Sequence, residues 1–540
     1  MTRSLSLFFL LLGLAWFTSG GLRPLLEPDE GRYAEIPREM AVSGDWVTPH
    51  LNGVAYLEKP PLQYWATAAA YKLFGKTELT ARLWTLVLSF LALPLVWMTS
   101  KRLYGSPDTG LAAVVALAVS PYFVLVGQLN ALDAAFATLL GGAVLALVVA
   151  QRATAPSAAR RWMLAAWALL ALAVLQKGIA APVLAGATLV LYSLLSRDWT
   201  VWRRMQWLSG LAIFFTIVVP WFWWVAQRNP DFLQFFFIHE HFERFLTKVH
   251  RRVEPAWFFI PILLLALLPW WRVMRSTLRD TWQRRSEGGA TGFRAALFLG
   301  LWPIIVFVFF SASGSKLATY VLPIMPVAAV LLAPQLLRTP RAVTTAAATT
   351  AVSMTVAALG LCVASAGKSG VDAVPRGVLI WAVLAALIAV VAWLVQRRRT
   401  EATPARWLPA ALGAVLGWQA LMFSYSYFPP LRTARDLVTQ IRPHVGPQTT
   451  LYSVKQYRQS APFYLDRTLR LVVFRGELDY GLERAPGKSL ATLDEFFAEW
   501  QSQRDAVAFL SDSAYSELSA RGLPGRVIGR DGRSIVMARQ

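Results

Sequence analysis

Between residues 26 and 62 the chain gathers acids, bases and rigid turns in a pattern able to do chemistry. The run Pro28-Asp29-Glu30-Gly31-Arg32-Tyr33 places two adjacent carboxylates directly after an apolar segment. A carboxylate can orient a sugar, accept a proton or stabilise a cationic transition state. Acids at the start of a helix also complement its dipole, and both readings apply to Asp29 and Glu30. Glu58-Lys59-Pro60-Pro61 follows; Lys59 can hold a phosphate as a point charge or snorkel to a lipid boundary. A later polar run, His239-Glu240-His241-Phe242-Glu243-Arg244, offers Arg244 as a bidentate phosphate grip, or as part of a basic loop with Arg251 and Arg252 on anionic headgroups. With Glu58 from the first run, His239 and His241 make a divalent-metal site chemically possible, although His-x-His is no specific fingerprint. Two more polar points interrupt apolar stretches. Asp133 is costly at a membrane boundary unless it is paired or caps a helix, and Tyr320 can donate to a phosphate or join an aromatic belt.

These residues need a frame, and the composition says which kind. Of 540 residues 56% are hydrophobic and 16% charged, too apolar for a soluble globular protein and expected of an α-helical polytopic membrane protein. Apolar segments fall near residues 4–20, 80–99, 109–127, 131–151, 161–176, 178–195, 206–226, 257–271, 295–311, 317–336, 343–364, 376–395 and 406–424. About thirteen transmembrane helices are therefore expected, the shorter ones tilted or partly buried. The net charge of +22 does not make the chain a nucleic-acid binder, because its basic residues punctuate apolar segments and do not line one soluble face. Alternate connections carry Lys101 and Arg102, Arg152, Arg160 and Arg161, Arg203 and Arg204, and Arg397 to Arg399, whereas the opposite ones hold little beyond Lys177, Lys316, Lys368 and Arg376. The positive-inside rule then puts the amino terminus in the cytoplasm and the carboxy-terminal region outside. The first segment lacks a small-residue cleavage site and is expected to stay as a span. The single cysteine, Cys362, lies in a predicted span as a small apolar filler, and no disulfide can form within one chain.

The expected organisation is a membrane domain over residues 1–424, with outer loops 21–79 and 227–256, followed by an outer α/β domain over 425–540. Pro60-Pro61 predicts a surface helix after it, with Trp65, Ala69 and Leu73 on one face. The run from Asp29 to Met40 fits a similar short helix, with Pro37 against it. Phe232 to Ile238 is too short to span and apolar enough to dip into lipid. Beyond residue 425, strands are predicted at 450–454, 471–474 and 506–510, a capping box at Thr492 to Glu495, and a hairpin turn at Arg530 to Arg533.

Three motifs together resemble a known family: Pro28-Asp29-Glu30-Gly31-Arg32-Tyr33-Ala34-Glu35, Glu58-Lys59-Pro60-Pro61-Leu62-Gln63-Tyr64-Trp65 and Ser315-Lys316-Leu317-Ala318-Thr319-Tyr320-Val321-Leu322-Pro323. They closely resemble the bacterial aminoarabinose lipid A transferases, which stand with the protein O-mannosyltransferases among the type C glycosyltransferases. The resemblance implies a donor, undecaprenyl phosphate carrying 4-amino-4-deoxy-L-arabinose, and an acceptor, a phosphate of lipid A, joined at the periplasmic face of the bacterial inner membrane. It implies no nucleotide, and polymyxin resistance as the physiological role. By motif, Asp29 matches the catalytic acid and Asp133 a second important aspartate, with Glu30 beside them as a candidate. Lys59, Tyr320 and Arg244 match donor-phosphate contacts, and Glu58 with His239, and His241 nearby, resembles a site for zinc or a similar metal. Ala318 stands where related sequences often carry proline. The alternative readings are a polyprenyl-phosphate glycosyltransferase with another sugar or a protein acceptor, and a lipid-linked-sugar flippase. Against the flippase, the polar residues cluster at one boundary and no inverted repeat is visible.

Overall fold

A computed structural model describes residues 3–243, 254–367, 374–399, 403–428 and 432–539. The chain forms two compact units that do not follow chain order. A helical unit takes Met1–Gly20, Glu58–Leu62 and Trp84–Tyr425, and a sheet-bearing unit takes Gly21–Leu57, Gln63–Leu83 and Ser426–Gln540.

In the helical unit, nine described helices are long and apolar enough to cross a membrane, or ten if the bent pair Pro107–Ala118 and Pro121–Gly127 counts as one span. Leu5–Phe17, Ala180–Ser196 and Ile324–Arg338 are apolar but shorter. Each expected apolar segment lies on one of these helices, and the protein is a multi-pass membrane protein. The bend of 71° in the pair follows from sequence: Ser120 ends one helix and Pro121 starts the next, where its missing N–H is least needed. Leu132–Arg152 is central, 94% of its apolar window being buried, whereas Trp207–Arg228 is peripheral at 17%. Polar side chains inside the bundle satisfy themselves, as a low-dielectric surrounding demands. The Gln128 amide donates to the Trp16 carbonyl and accepts from Ser19, while Gln419 donates to the carbonyls of Ala15 and Trp16.

The sheet unit is built on strands β1 (His50–Leu51), β2 (Val54–Ala55), β3 (Thr450–Val454), β4 (Arg470–Val472), β5 (Ser489–Leu490), β6 (Ala506–Leu510), β7 (Arg526–Arg530) and β8 (Ile535–Arg539). The first two form a small hairpin, and the other six make one sheet in the order β5-β4-β3-β6-β8-β7. Pairing is parallel from β5 to β6 and antiparallel from β6 through β7. The all-buried β6 reads as an uninterrupted apolar run, as a strand covered on both faces should. The predicted turn at Arg530 to Arg533 joins β7 to β8, with the Asp531 carboxylate accepting from the Arg533 and Ser534 amides. Half of the expected capping box forms: Thr492 accepts from the Glu495 amide, while Glu495 reaches past the cap to the Ala491 amide.

The Asp29–Ser43 helix runs through Pro37 and stops at Gly44, whose φ of 74° gives the left-handed terminus that glycine tolerates best. It is no surface helix. Glu30, Arg32, Glu35, Arg38 and Glu39 are all buried, so a helix that looks polar in sequence is packed by the rest of its unit. Gly31 shows how closely: a Cβ there would lie 2.6 Å from the Ser460 backbone nitrogen. The predicted helix after Pro60-Pro61 forms as Leu62–Phe74. It buries Gln63, Tyr64 and Thr67 and leaves Leu73 and Phe74 exposed, the polarity of a helix whose outer side faces lipid.

Candidate functional site

Asp29 and Glu30 share one turn of one helix and have opposite surroundings. Glu30 is buried, and Arg82 meets it in a two-pronged fork, Nε to Oε1 at 2.7 Å and Nη2 to Oε2 at 3.0 Å. The Leu26 amide also donates to Oε2 at 3.0 Å. Arg82 spends its remaining donors on the carbonyls of Arg23 and Pro24. Both Glu30 oxygens are thus engaged in holding the chain that leads into the helix. Asp29 keeps 53% of its side chain exposed and makes an ion pair with Arg32 at 2.9 Å. Arg32 is itself fixed by the Tyr56 hydroxyl at 3.0 Å and by Glu477 at 3.3 Å. The helix presents one accessible carboxylate on a base that cannot shift easily.

The base is set by residues that sequence motifs do not mark. Glu27, two residues before Asp29, is buried and accepts from Arg458 and Arg533, each at 2.9 Å, and from the Ser460 hydroxyl at 2.7 Å. Arg458 also reaches Asp531, Ser534 and the Thr433 carbonyl. One turn further along the helix, Glu35 receives two bonds from Arg38, at 2.6 and 2.7 Å. Burial pushes the Glu35 carboxyl up to about 8, against the downward pull of Arg38 and with a small upward push from Glu39.

Lys59, Glu58, His239, Asp133 and Tyr320 belong to the helical unit. Lys59 donates to Glu240 Oε2 at 3.0 Å and to the Glu58 carbonyl at 2.8 Å, and the Glu58 carboxylate stands 4.0 Å away. Glu240 is buried on a π-helix, Gln234–Glu243, whose wider turn delivers it there. Phe232 and Phe236 on this segment are fully buried against Trp221 and Phe222, while Leu233 and Ile238 are exposed. Only one face of the run expected to dip into lipid is therefore free to do so. The His239 ring stacks on Phe235, and its pKa is raised chiefly by the Glu240 carboxylate, 3.6 Å from Nδ1, with Glu58 adding a smaller upward push. Two carboxylates, Glu58 and Glu240, thus flank the Lys59 ammonium. Arg244 falls outside the described residues, as do Arg251 and Arg252, and His241 is described in its backbone alone. Among the described residues no three His, Cys, Asp or Glu side chains converge as a metal site. Glu58 and His239 alone are too few for a four-coordinate zinc.

A second cluster joins Asp133 and Tyr320 through Lys177. The Lys177 ammonium pairs with the Asp133 carboxylate and lies 4.6 Å from the centre of the Tyr320 ring. Tyr320 stands on a 3₁₀ turn, Ala318–Val321, backed by Phe310. The turn forms with Ala318 in place of the expected proline, its carbonyl held by the Tyr122 hydroxyl. Among the described residues the Tyr320 hydroxyl makes no hydrogen bond, which leaves a donor available. Lys177 was visible in the sequence as a topological marker only. A stronger signal was there: Leu132–Arg152 and Pro156–Lys177 are antiparallel helices on a short link, so the first residues of one stand level with the last of the other. An aspartate at the start of such a hairpin calls for a cation at its end.

Comparison with known proteins agrees with this architecture. Residues 1–236 match the family described as dolichyl-phosphate-mannose-protein mannosyltransferase, and residues 437–539 match the aminoarabinose transferase C-terminal domain. The first match likens the amino-terminal part of the chain to membrane-embedded proteins of the mannosyltransferase type. The crystal structure of ArnT from Cupriavidus metallidurans bound to undecaprenyl phosphate superposes with a TM-score of 0.89 at 32% identity, covering 100% of this chain and 99% of that one. The same protein in the apo state gives 0.87 at 33% identity, covering 99% and 98%. The chain belongs to the ArnT family of aminoarabinose transferases. Among curated relatives, the undecaprenyl phosphate-alpha-4-amino-4-deoxy-L-arabinose arabinosyl transferase of Pseudomonas aeruginosa strain UCBPP-PA14 is 34% identical over 332 residues, 60% of this chain and 58% of that relative. The enzyme of the same name from Erwinia tasmaniensis is 32% identical over 342 residues, 62% and 59%. The aligned region thus spans under two thirds of these relatives' length.

Proposed function

We propose that the protein transfers 4-amino-4-deoxy-L-arabinose from undecaprenyl phosphate to a phosphate of lipid A, at the periplasmic face of the bacterial inner membrane. The observation that carries this reading is the end-to-end likeness to a protein solved with undecaprenyl phosphate, joined to the match of residues 437–539 with the aminoarabinose transferase domain. The side of the membrane rests on the basic connections described above.

An acceptor phosphate oxygen attacks the anomeric carbon, the bond from that carbon to the donor phosphate oxygen breaks, and undecaprenyl phosphate leaves with the electron pair. The acceptor phosphate is ionised near neutral pH and the leaving group is already stable as an anion. Catalysis therefore needs charge stabilisation more than proton transfer. Lys59, Arg244 and the free hydroxyl of Tyr320 are assigned to the donor phosphate. Asp29 is assigned to position the acceptor or the sugar ammonium, or to screen the cationic anomeric carbon. Asp133 holds Lys177 beside Tyr320. Glu30 is assigned to the scaffold. A zinc-like metal would be held by Glu58, His239 and His241 and would add positive charge near Lys59, and metal analysis of the purified protein tests it.

Transfer from purified donor lipid to lipid A, with other prenyl-linked sugars and a protein acceptor as controls, decides the reading. A mass increase of lipid A by one aminoarabinose supports it. Modification of the protein acceptor instead would favour the mannosyltransferase-like alternative that the match over residues 1–236 keeps open. Direct attack inverts the anomeric configuration, and a product that retained it would exclude this mechanism.

A further inference from the structure

At the end of the helical unit opposite Asp133, the Leu132–Arg152 helix finishes beside the end of Glu78–Tyr104 and the start of Pro156–Lys177. A cavity of about 280 Å³ lies there, lined by Arg102, Arg152 and Trp162 with an apolar wall that includes Leu103, Val149 and Ala158. Neither guanidinium has a hydrogen bond or an ion pair among the described residues. The Arg102 guanidinium stacks 4.8 Å from the centre of the Trp162 ring. The Gly289 backbone passes close to Arg152, and a Cβ there would come within 2.2 Å of its Nη1. The carboxylate that might have neutralised it is committed elsewhere. Glu287, which shares a smaller adjoining cavity with Arg152, is bonded to Arg284 at 3.0 Å. The residue preceding Pro156, Ala155, has no side chain to cap the helix, so the first-turn amides beside the cavity add to its positive potential.

Two guanidinium groups with no counter-ion among the described residues share a largely apolar wall, Arg102 exposed and Arg152 half-buried. Like charges in one cavity repel each other. An anion with two or more oxygens relieves that repulsion, and the apolar wall selects one that carries hydrocarbon. We propose that this cavity seats the headgroup of an anionic membrane glycerophospholipid, with Arg102 and Arg152 on the phosphodiester and the Leu103, Val149 and Ala158 wall against the glycerol and the first acyl carbons. This end of the bundle carries the clustered basic connections at Arg160, Arg161, Arg203 and Arg204, which favour anionic lipid nearby. The site is separate from the donor chemistry assigned to Lys59 and Tyr320, and its failure would leave that assignment intact.

Native mass spectrometry of the full chain in mixed micelles tests it, with phosphatidylglycerol and phosphatidylcholine of identical acyl chains present in equal amounts. The wild-type protein is expected to retain phosphatidylglycerol over phosphatidylcholine by about thirtyfold, since each of the two basic residues contributes roughly 1 kcal/mol. Arg102→Gln combined with Arg152→Gln should bring the preference close to one, while Arg272→Gln, on another helix, should leave it unchanged. Equal retention of the two lipids by the wild-type protein overturns the proposal without reference to any variant. A folded double variant that keeps its preference overturns it too. Should the double variant fail to fold, Arg102→Gln alone must lower the preference by about half on a logarithmic scale. Displacement of the lipid by inorganic phosphate at equal concentration would show an adventitious anion site and exclude a lipid headgroup.

Discussion

Two neighbourhoods of charge in this molecule are built on different rules. Around the Asp29–Ser43 helix almost every acid is closed: Glu27 on Arg458 and Arg533, Glu30 on Arg82, Glu35 on Arg38. Around Lys59 and Lys177 the groups share partners: two carboxylates flank one ammonium, and a second ammonium is divided between an aspartate and an aromatic face. Closed pairs fix a shape, because removing either partner leaves a buried charge uncompensated. Groups that share partners are not locked in this way. Asp29 belongs to the second kind although it sits among the first, and that contrast singles it out better than its position beside another carboxylate does.

The contrast can be broken at its strongest point by Arg82→Ala. Stranding the buried Glu30 is expected to lower the stability of the folded protein by about 3–5 kcal/mol, read by thermal unfolding in detergent or by limited proteolysis, with activity falling only as folded protein is lost. A stable variant with selectively lost turnover would move Glu30 back into the chemistry. Asp29→Asn should do the reverse. Transfer is expected to drop about 10²–10³-fold while the unfolding midpoint stays close to that of the wild type, since the side chain is half exposed and makes one surface-facing pair. Lys177→Met should reduce turnover by about 10–100-fold, the range for a group that orients others, with donor retention measured in parallel. The smallest effect concerns protons. The Glu35 carboxyl is raised in the folded protein, so its contribution is complete below the unfolded value near 4.5 and is lost as pH rises towards about 8. The unfolding free energy should fall across that window by less than about 1.4 kcal/mol per pH unit, and Glu35→Gln, although less stable overall, should flatten the drift.

Much of this was legible in the chain. Apolar runs announced the helices, because lipid leaves few options for twenty apolar residues. The strands at 450–454 and 506–510, the cap at Thr492 and the turn at Asp531 each followed from local chemistry. What stayed hidden was pairing over distance. Nothing near Glu27 in sequence hints at Arg458, 431 residues later, and nothing near Glu30 hints at Arg82. Glu240 looked like the spacer between two histidines and is the residue that holds Lys59. The Asp29–Ser43 helix looked like an exposed amphipathic segment because its charges were read as solvated; their partners, which allow them to be buried, lie elsewhere in the chain.

The span from Glu27 to Arg458 also sets a timetable for biogenesis. A ribosome adding about 5–20 residues per second needs roughly 20–90 s to supply the arginine after it has made the glutamate. Throughout that interval the segment bearing Asp29 has Arg82 at hand but not Arg458, while helix after helix is inserted behind it. A chain cut short anywhere before residue 458 would therefore lose more than its last domain, because Glu27, two residues before Asp29, would stay without its arginine. Quality control of the nascent protein should be most sensitive to the final hundred residues.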